Sequence, residues 1–342
     1  MPDKPEIGKL RVLHELQNQF DVRAVKSTLE SQLSNEDQRR INRFIAGFKI
    51  EGWFQWIFSA LPWAMLIHGL DQHQLPFTSK EQYQVPDFLV IVETTALTRE
   101  PLLVEVKRVA DPKATLRIQD SQFALCENYA ATLGIPLVFA IYWEKVMGWT
   151  LNTPDSFERR ASTRKLPMTS AFELDCSLIL GDVSYLVTQS LTRVSRFDEN
   201  DVSESSVRHQ EYGRLVSDVA VQGGNRIEMT TLESAAIDSM LRMKKRSVKR
   251  SDNGDTEIVE SPDGNYLLKL SSWITHHQTI FNTTPTEEHF NVSAHVITDL
   301  MTKLDCPLLH MFPLGRSGGL KQLERSFMTS ANANMVTKRR QD

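Results

Sequence analysis

Two short stretches of the sequence combine carboxylates with a lysine at the ends of apolar runs rich in β-branched residues. Pro86-Asp87 opens the first run, and Glu105-Val106-Lys107 closes the second. Because side chains alternate along a β-strand, Glu105 and Lys107 are expected to point to the same face. Such charges are costly to bury without partners, and Asp87 on the neighbouring strand can complete a carboxylate pair.

Two carboxylates held together repel each other unless a cation lies between them. Oxygen ligands suit a hard ion, so the sequence favours Mg²⁺ or Mn²⁺ as the cofactor. Such an ion polarises a phosphate and lowers the pKa of a bound water, and a neighbouring ammonium can orient that water or stabilise the transition state. These are the requirements of metal-assisted phosphodiester hydrolysis.

The two motifs, the interval between them and the surrounding order of elements over roughly residues 36–145 resemble the PD-(D/E)xK nuclease superfamily, which has the restriction-endonuclease-like fold. The resemblance implies that Asp87 and Glu105 bind the metal, with the Val106 carbonyl as a further ligand. It also implies that Lys107 acts on the attacking water.

Further site residues are expected from the same resemblance. Glu51, in the preceding helical region, occupies the place of an acidic residue that often joins the metal site. Gln122 and Tyr129 match a Gln and a Tyr that some members carry on the following helix, and Gln122 is the better candidate. Lys113 and Arg117, near the start of that helix, could contact a phosphate of the cleaved strand. The alternative for each of these five residues is that it has no role in the site and only packs against its neighbours or carries ordinary surface charge.

Other polar pairs in the sequence have simpler explanations than chemistry. Pro262-Asp263 repeats the first motif, but no ExK follows, so we interpret it as a turn. His68 precedes Asp87 in a predicted loop, and loop histidines are common. The adjacent His276 and His277 seldom face one ion.

The positions of the apolar residues predict the elements that hold these groups. A helix is expected at residues 116–133 and a buried strand at residues 136–143. Farther along, the pattern indicates a helix at 231–243, a hairpin at 256–270 turning at Asp263-Gly264, and a helix at 286–304. We therefore predict an α/β fold with a restriction-endonuclease-like core, a mixed sheet flanked by helices. The second, smaller domain is expected to be α+β and compatible with a winged-helix-like module.

Composition shifts divide the chain into four segments. We predict a helical lead-in at 1–35, a nuclease-like domain at 36–195, a polar linker at 196–206 and a domain for recognition of substrate or a protein partner at 207–342.

A dense basic run lies in the C-terminal segment. Its cations are Arg242, Lys244, Lys245, Arg246, Lys249 and Arg250. Placed on a helix end and the loop after it, Lys244, Lys245 and Arg246 could grip a nucleic-acid backbone, although most charge runs are simply solvated faces.

Composition excludes several other classes of protein. The net charge of −4 over 342 residues provides no global attraction for nucleic acid, so any such site needs locally clustered cations. The three cysteines form no CxxC pair, which argues against a zinc ribbon or disulfide scaffold. The apolar stretch at 53–70 holds Gln55, Pro62 and His68, so we expect a core helix there rather than a membrane span. Because no apolar leader is visible either, we expect no membrane association and a cytoplasmic location.

The sequence thus predicts a metal-dependent endonuclease whose substrate is nucleic acid, with DNA as the leading expectation. One alternative is an RNA endonuclease of the same fold, and another is a catalytically silent nucleic-acid-binding or scaffold protein. A homodimer would allow paired cuts, but no sequence feature indicates one.

Overall fold

The computed structural model describes residues 35–71, 74, 76–93, 99–111, 113–200, 208–252, 254–280 and 286–309. These residues form two units, the first from 35–55 and 63–179 and the second from 56–62 and 180–309. The predicted lead-in at 1–35 lies almost wholly outside the described residues. No helix within these ranges is both long and apolar enough to cross a bilayer.

The first unit is built on a five-stranded mixed sheet with strand order β1-β2-β3-β5-β6. All neighbouring pairs are antiparallel except β3 and β5, which run parallel. Its strands are β1 (Ala64–Gly69), β2 (Phe88–Glu93), β3 (Arg99–Val109), β5 (Leu137–Trp143) and β6 (Gly148–Asn152). The α/β class and the mixed sheet flanked by helices are therefore confirmed.

Helices and a small second sheet complete the first unit. Helix α1 (Asn35–Ser59) begins in this unit, and α2 (Asp120–Leu133) and α3 (Met168–Glu173) lie wholly within it. The small sheet has the order β4-β8-β7, formed by β4 (Thr115–Gln119), β7 (Glu158–Arg160) and β8 (Thr163–Pro167).

Aromatic side chains form the core that fixes the central strands. Phe123 of α2 stacks on Phe139 of β5 with ring centroids 4.8 Å apart, and Phe157 packs edge-on against both rings. Phe54 of α1 contacts Phe88, the residue after the first motif, at 5.2 Å between centroids. Burying such rings is strongly favourable, so these contacts hold β2 and β5 in place.

Two predicted helices are shorter than expected. Residues 115–119 form β4 because Leu116 and Ile118 are buried while Arg117 and Gln119 are exposed, an alternation that suits a strand. The apolar stretch at 53–70 is also divided, since α1 ends at Ser59 and β1 then pairs with β2.

The second unit is an α+β arrangement around a six-stranded antiparallel sheet. The order is β11-β12-β10-β15-β14, with β13 added beside β12. The strands are β10 (Thr192–Asp198), β11 (Arg208–His209), β12 (Gly213–Gln222), β13 (Asn225–Glu228), β14 (Met243–Arg250) and β15 (Asp255–Pro262).

The remaining elements of the second unit are three helices and a three-stranded sheet. The helices are α4 (Thr231–Met240), α5 (Leu270–Ile280) and α6 (Glu287–Lys303). The sheet has the order β16-β9-β17, formed by β9 (Ser184–Val187), β16 (Tyr266–Lys269) and β17 (Leu308–Leu309).

The second unit corrects two sequence-based predictions. The hairpin is formed by β14 and β15 rather than by 256–270, because β16 pairs with β9 instead of with β15. The sheet to which it belongs has more strands than the wing of a winged-helix module.

The expected linker also begins inside a strand. Residues 196–198 belong to β10, which pairs with both β12 and β15. Within the described residues the two units meet in sequence at 55/56, 62/63 and 179/180.

Candidate active site

The two motifs meet at the junction of β2 and β3. Phe88 pairs with Val104, so Asp87, one residue earlier, lies beside Glu105 on the neighbouring strand. The backbone N–H of Val106 donates a hydrogen bond of 2.7 Å to Oδ2 of Asp87. This bond fixes one carboxylate oxygen next to the second motif.

Lys107 lies on the same side of β3 as Glu105, as the strand period predicts. Its Nζ donates to Oε1 of Glu105 in a close ion pair and lies 3.3 Å from the carbonyl oxygen of Val106. The Glu105 side chain is only 2% exposed, whereas that of Lys107 is 24% exposed. Lys107 therefore contacts a buried carboxylate while part of its side chain stays exposed to solvent.

The two oxygens of Glu105 have unequal surroundings. Oε1 accepts from Lys107 and from Nε2 of Gln84 at 3.3 Å. Oε2 is buried and has no hydrogen-bond partner among the residues that the structure describes. Because a buried carboxylate oxygen without a donor is costly, Oε2 is the atom at which a cation or a water would be most stabilising.

Gln84 was not expected from the sequence, since nothing distinguishes it from other polar loop residues. It lies two residues before the first motif, in a segment that is held against α2. The backbone N–H of Gln84 donates to the carbonyl of Leu125, and Asn128 Nδ2 donates to the carbonyl of Gln82. These bonds place the Gln84 amide beside Glu105.

Burial and mutual repulsion set the electrostatics of the site. Desolvation, followed by the charge of Glu105, raises the pKa of Asp87 well above its usual value, and Glu51 adds to this effect. Desolvation alone would lower the pKa of Lys107, but the charges of Glu105 and Asp87 outweigh it and hold the pKa above its ordinary value. Lys107 is therefore a cation throughout the neutral range.

Two further residues are coupled to the site electrostatically. Glu51 lies on α1 and affects Asp87 electrostatically, as noted above. Cys126 of α2 is buried, and burial followed by the charge of Glu105 raises the pKa of its thiol.

Among the described residues, no group of three or more His, Cys, Asp or Glu side chains is arranged to hold a metal ion. The structure therefore offers two carboxylates and a backbone carbonyl rather than a three-carboxylate ligand set.

The other candidates from the sequence lie farther out. Gln122 is exposed on the first turn of α2, and Tyr129 is half-buried on the same helix. Lys113 is exposed after β3, and Arg117 is exposed on β4 rather than on a helix. His68 is exposed on β1, which is a strand and not the expected loop.

The basic run of the second unit forms the edge strand β14 rather than a helix end and loop. Lys244 is exposed and forms no side-chain hydrogen bond or ion pair within the described ranges. Lys245 Nζ donates to the hydroxyl of Tyr212 at 3.2 Å, and Arg246 donates to Oγ of Ser261. The three predicted contacts thus differ in how free their cationic groups are.

Comparisons with known proteins give a likeness to solved structures. No protein-family model matches the chain, and no curated protein matches it. The solved structure of Hjc, a Holliday junction resolvase from Archaeoglobus fulgidus, is 14% identical and covers 40% of this chain and 96% of its own, with a TM-score of 0.30. At that TM-score the likeness carries no argument about the function of this chain.

Proposed function

We propose that this protein is a divalent-metal-dependent nuclease, and specifically an endonuclease that acts on DNA. The observation that carries the proposal is the convergence of Asp87, Glu105 and Lys107 at one end of β2 and β3. A buried and a half-buried carboxylate beside a permanently charged lysine are an expensive arrangement for a purely structural purpose. This arrangement suits metal-assisted hydrolysis of a phosphodiester.

The donor set fits a hard divalent cation. Asp87, Glu105 and the Val106 carbonyl would hold it, and Glu51 adds negative charge nearby. The buried, unpartnered Oε2 of Glu105 supports this fit, because a cation would satisfy it. When bound, Mg²⁺ or Mn²⁺ would polarise the phosphate and lower the pKa of a coordinated water.

The residues of the chain have separate tasks in this proposal. Lys107 keeps its proton and donates a hydrogen bond either to the attacking water or to a phosphate oxygen, where it stabilises the charge of the transition state. The N–H of Val106 prevents Oδ2 of Asp87 from turning away. Gln84 limits the rotation of Glu105 by binding Oε1.

Contacts outside the site would position the substrate. Lys113 and Arg117 in the first unit, and Lys244, Lys245 and Arg246 in the second, are the proposed phosphate contacts. Gln122 is proposed to act near the site from the exposed side of α2. Lys244 is the best placed of the second group, since its ammonium has no partner in the described part of the chain.

Cleavage assays test the proposal directly. Linear, circular, branched and single-stranded DNA, together with matched RNA, are incubated with Mg²⁺ or Mn²⁺ and either wild-type protein or Lys107→Ala. We expect metal-dependent nicking of DNA that is lost in Lys107→Ala. Cleavage of RNA alone would favour the RNA endonuclease. Metal-independent binding without any cleavage by wild-type protein would favour the silent binding protein and refute the nuclease.

A further inference from the structure

The small sheet β4-β8-β7 carries two pairs of facing cations, one on each side. In an antiparallel sheet, residues directly opposite each other share a face. Arg164 of β8 lies opposite Arg159 of β7, and Lys165 of β8 lies opposite Arg117 of β4. Because 164 and 165 are adjacent in a strand, the two pairs point to opposite sides of the sheet.

The first pair is bridged by an anion from the protein itself. Asp120 accepts from Nη2 of Arg159 through Oδ2 and from Nε of Arg164 through Oδ1, both at 2.7 Å. Hydrogen bonds from Arg164, and the charges of both arginines, lower the pKa of Asp120 and keep it ionised. One carboxylate thus offsets the repulsion between the two guanidinium groups.

The second pair has no such anion. Within the described residues, neither the Arg117 nor the Lys165 side chain forms a hydrogen bond or an ion pair. Glu158 of β7 lies directly opposite Lys165 on the same face, but its carboxylate accepts from Nη2 of Arg160 at 3.0 Å rather than from Lys165. Arg117 and Lys165 therefore face each other as like charges, which is destabilising in a sheet unless something lies between them.

We propose that Arg117 and Lys165 form a clamp for a backbone phosphate of a nucleic acid, in the position that Asp120 occupies between the arginines on the other face. The inference rests on the proposed function and names a substrate contact that includes Lys165, which the sequence did not single out. A phosphodiester suits the clamp because its two non-bridging oxygens share one negative charge and can each accept from one of the two cations. Consecutive phosphates would extend along the same face past Arg160.

Binding measurements with single variants test the clamp. Arg117→Gln, Lys165→Gln and Arg159→Gln each remove one charge from the same small sheet. Affinity for a fluorescent duplex and for a single strand is measured in Ca²⁺, over a range of salt concentrations, together with thermal melting. Polyglutamate serves as a non-nucleic polyanion in a parallel titration.

We expect Arg117→Gln and Lys165→Gln to weaken nucleic-acid binding about tenfold at low salt and to reduce the slope of log K against log salt by about one each. Their melting temperatures should be unchanged or higher, because each substitution removes a repulsion. Arg159→Gln should leave the slope nearly unchanged and lower the melting temperature, because Asp120 loses a partner. A purely structural role for Lys165 cannot give weaker binding together with equal or greater stability.

Several results would overturn the clamp. One is an unchanged slope of log K against log salt in both clamp variants. Another is a loss of slope in Arg159→Gln equal to that in the clamp variants. The third is wild-type protein that binds polyglutamate but not nucleic acid. If wild-type protein cleaves DNA while the clamp variants bind normally, this inference fails together with the phosphate contact proposed for Arg117, and the nuclease proposal stands. If the variants lose binding as expected but no metal supports cleavage by wild-type protein, the nuclease proposal fails and the clamp stands.

Discussion

Removal of the Lys107 ammonium should destabilise the first unit, and the burial of Glu105 determines the size of the loss in free energy of unfolding. Lys107→Ala leaves Glu105, which is 2% exposed, without its cation. Breaking a buried ion pair from one side costs about 3–5 kcal/mol. The lower end applies here, because Lys107 is 24% exposed and Gln84 still donates to Glu105. We therefore expect a loss of about 3 kcal/mol near neutral pH.

The loss should persist as the pH rises to strongly alkaline values. The charges of Glu105 and Asp87 raise the pKa of Lys107, so its ammonium keeps the ion pair of the wild-type protein intact there.

Thermal and denaturant unfolding in EDTA measure this effect. A loss of about 3 kcal/mol corresponds to a fall in melting temperature of about 6–12 °C for a unit of this size. Adding Glu105→Gln to Lys107→Ala should restore most of the loss, since no buried charge remains. Lys113→Ala, which removes an exposed lysine from the same unit, is the control and should be neutral. A Lys107→Ala protein that melts with wild type at about pH 7.5, or a double variant with no recovery, would refute the reasoning.

The site and the basic strand yield three further predictions. Asp87→Asn should raise the melting temperature in metal-free buffer at neutral pH while abolishing cleavage. Burial and the charge of Glu105 raise the pKa of Asp87, so its ionised form opposes folding. The gain in melting temperature should therefore vanish as the pH falls through the acid range. If the gain grows in acid instead, the electrostatic assignment is wrong. Gln84→Ala should increase the half-saturating Mn²⁺ concentration about tenfold or more with a smaller effect on the rate at saturation, whereas Gln82→Ala, which removes an exposed neighbouring amide, should change neither. Equal metal dependence in both variants would exclude a positioning role. Lys244→Gln should weaken DNA binding at low salt more than Lys245→Gln does, because the ammonium of Lys245 is already engaged with a tyrosine hydroxyl; the reverse order in an anisotropy titration would contradict this.

The geometry of the candidate site could be predicted from the sequence because it depends on local order along two strands. Alternation along one strand places Glu105 and Lys107 on one face whatever the rest of the chain does. The position of Asp87 at the start of the preceding strand brings it to the same end of an antiparallel pair. The structure agrees with both expectations. The prediction of a helix at residues 116–119 was wrong, because their apolar residues fit a helix and a strand equally well. Pairing with β8 decides in favour of the strand.

Long-range pairing decided the features that no local pattern contains. Gln84 reaches Glu105 only because its loop is hydrogen-bonded to α2. Lys165 faces Arg117 only because β8 pairs with β4 in one particular register, and a shift by one residue would have turned it to the side where Asp120 lies. Sequence alone thus determined which side chains share a strand face. Tertiary structure decided which charges are neutralised and which remain free, because a counter-ion can come from any part of the chain that the fold brings near.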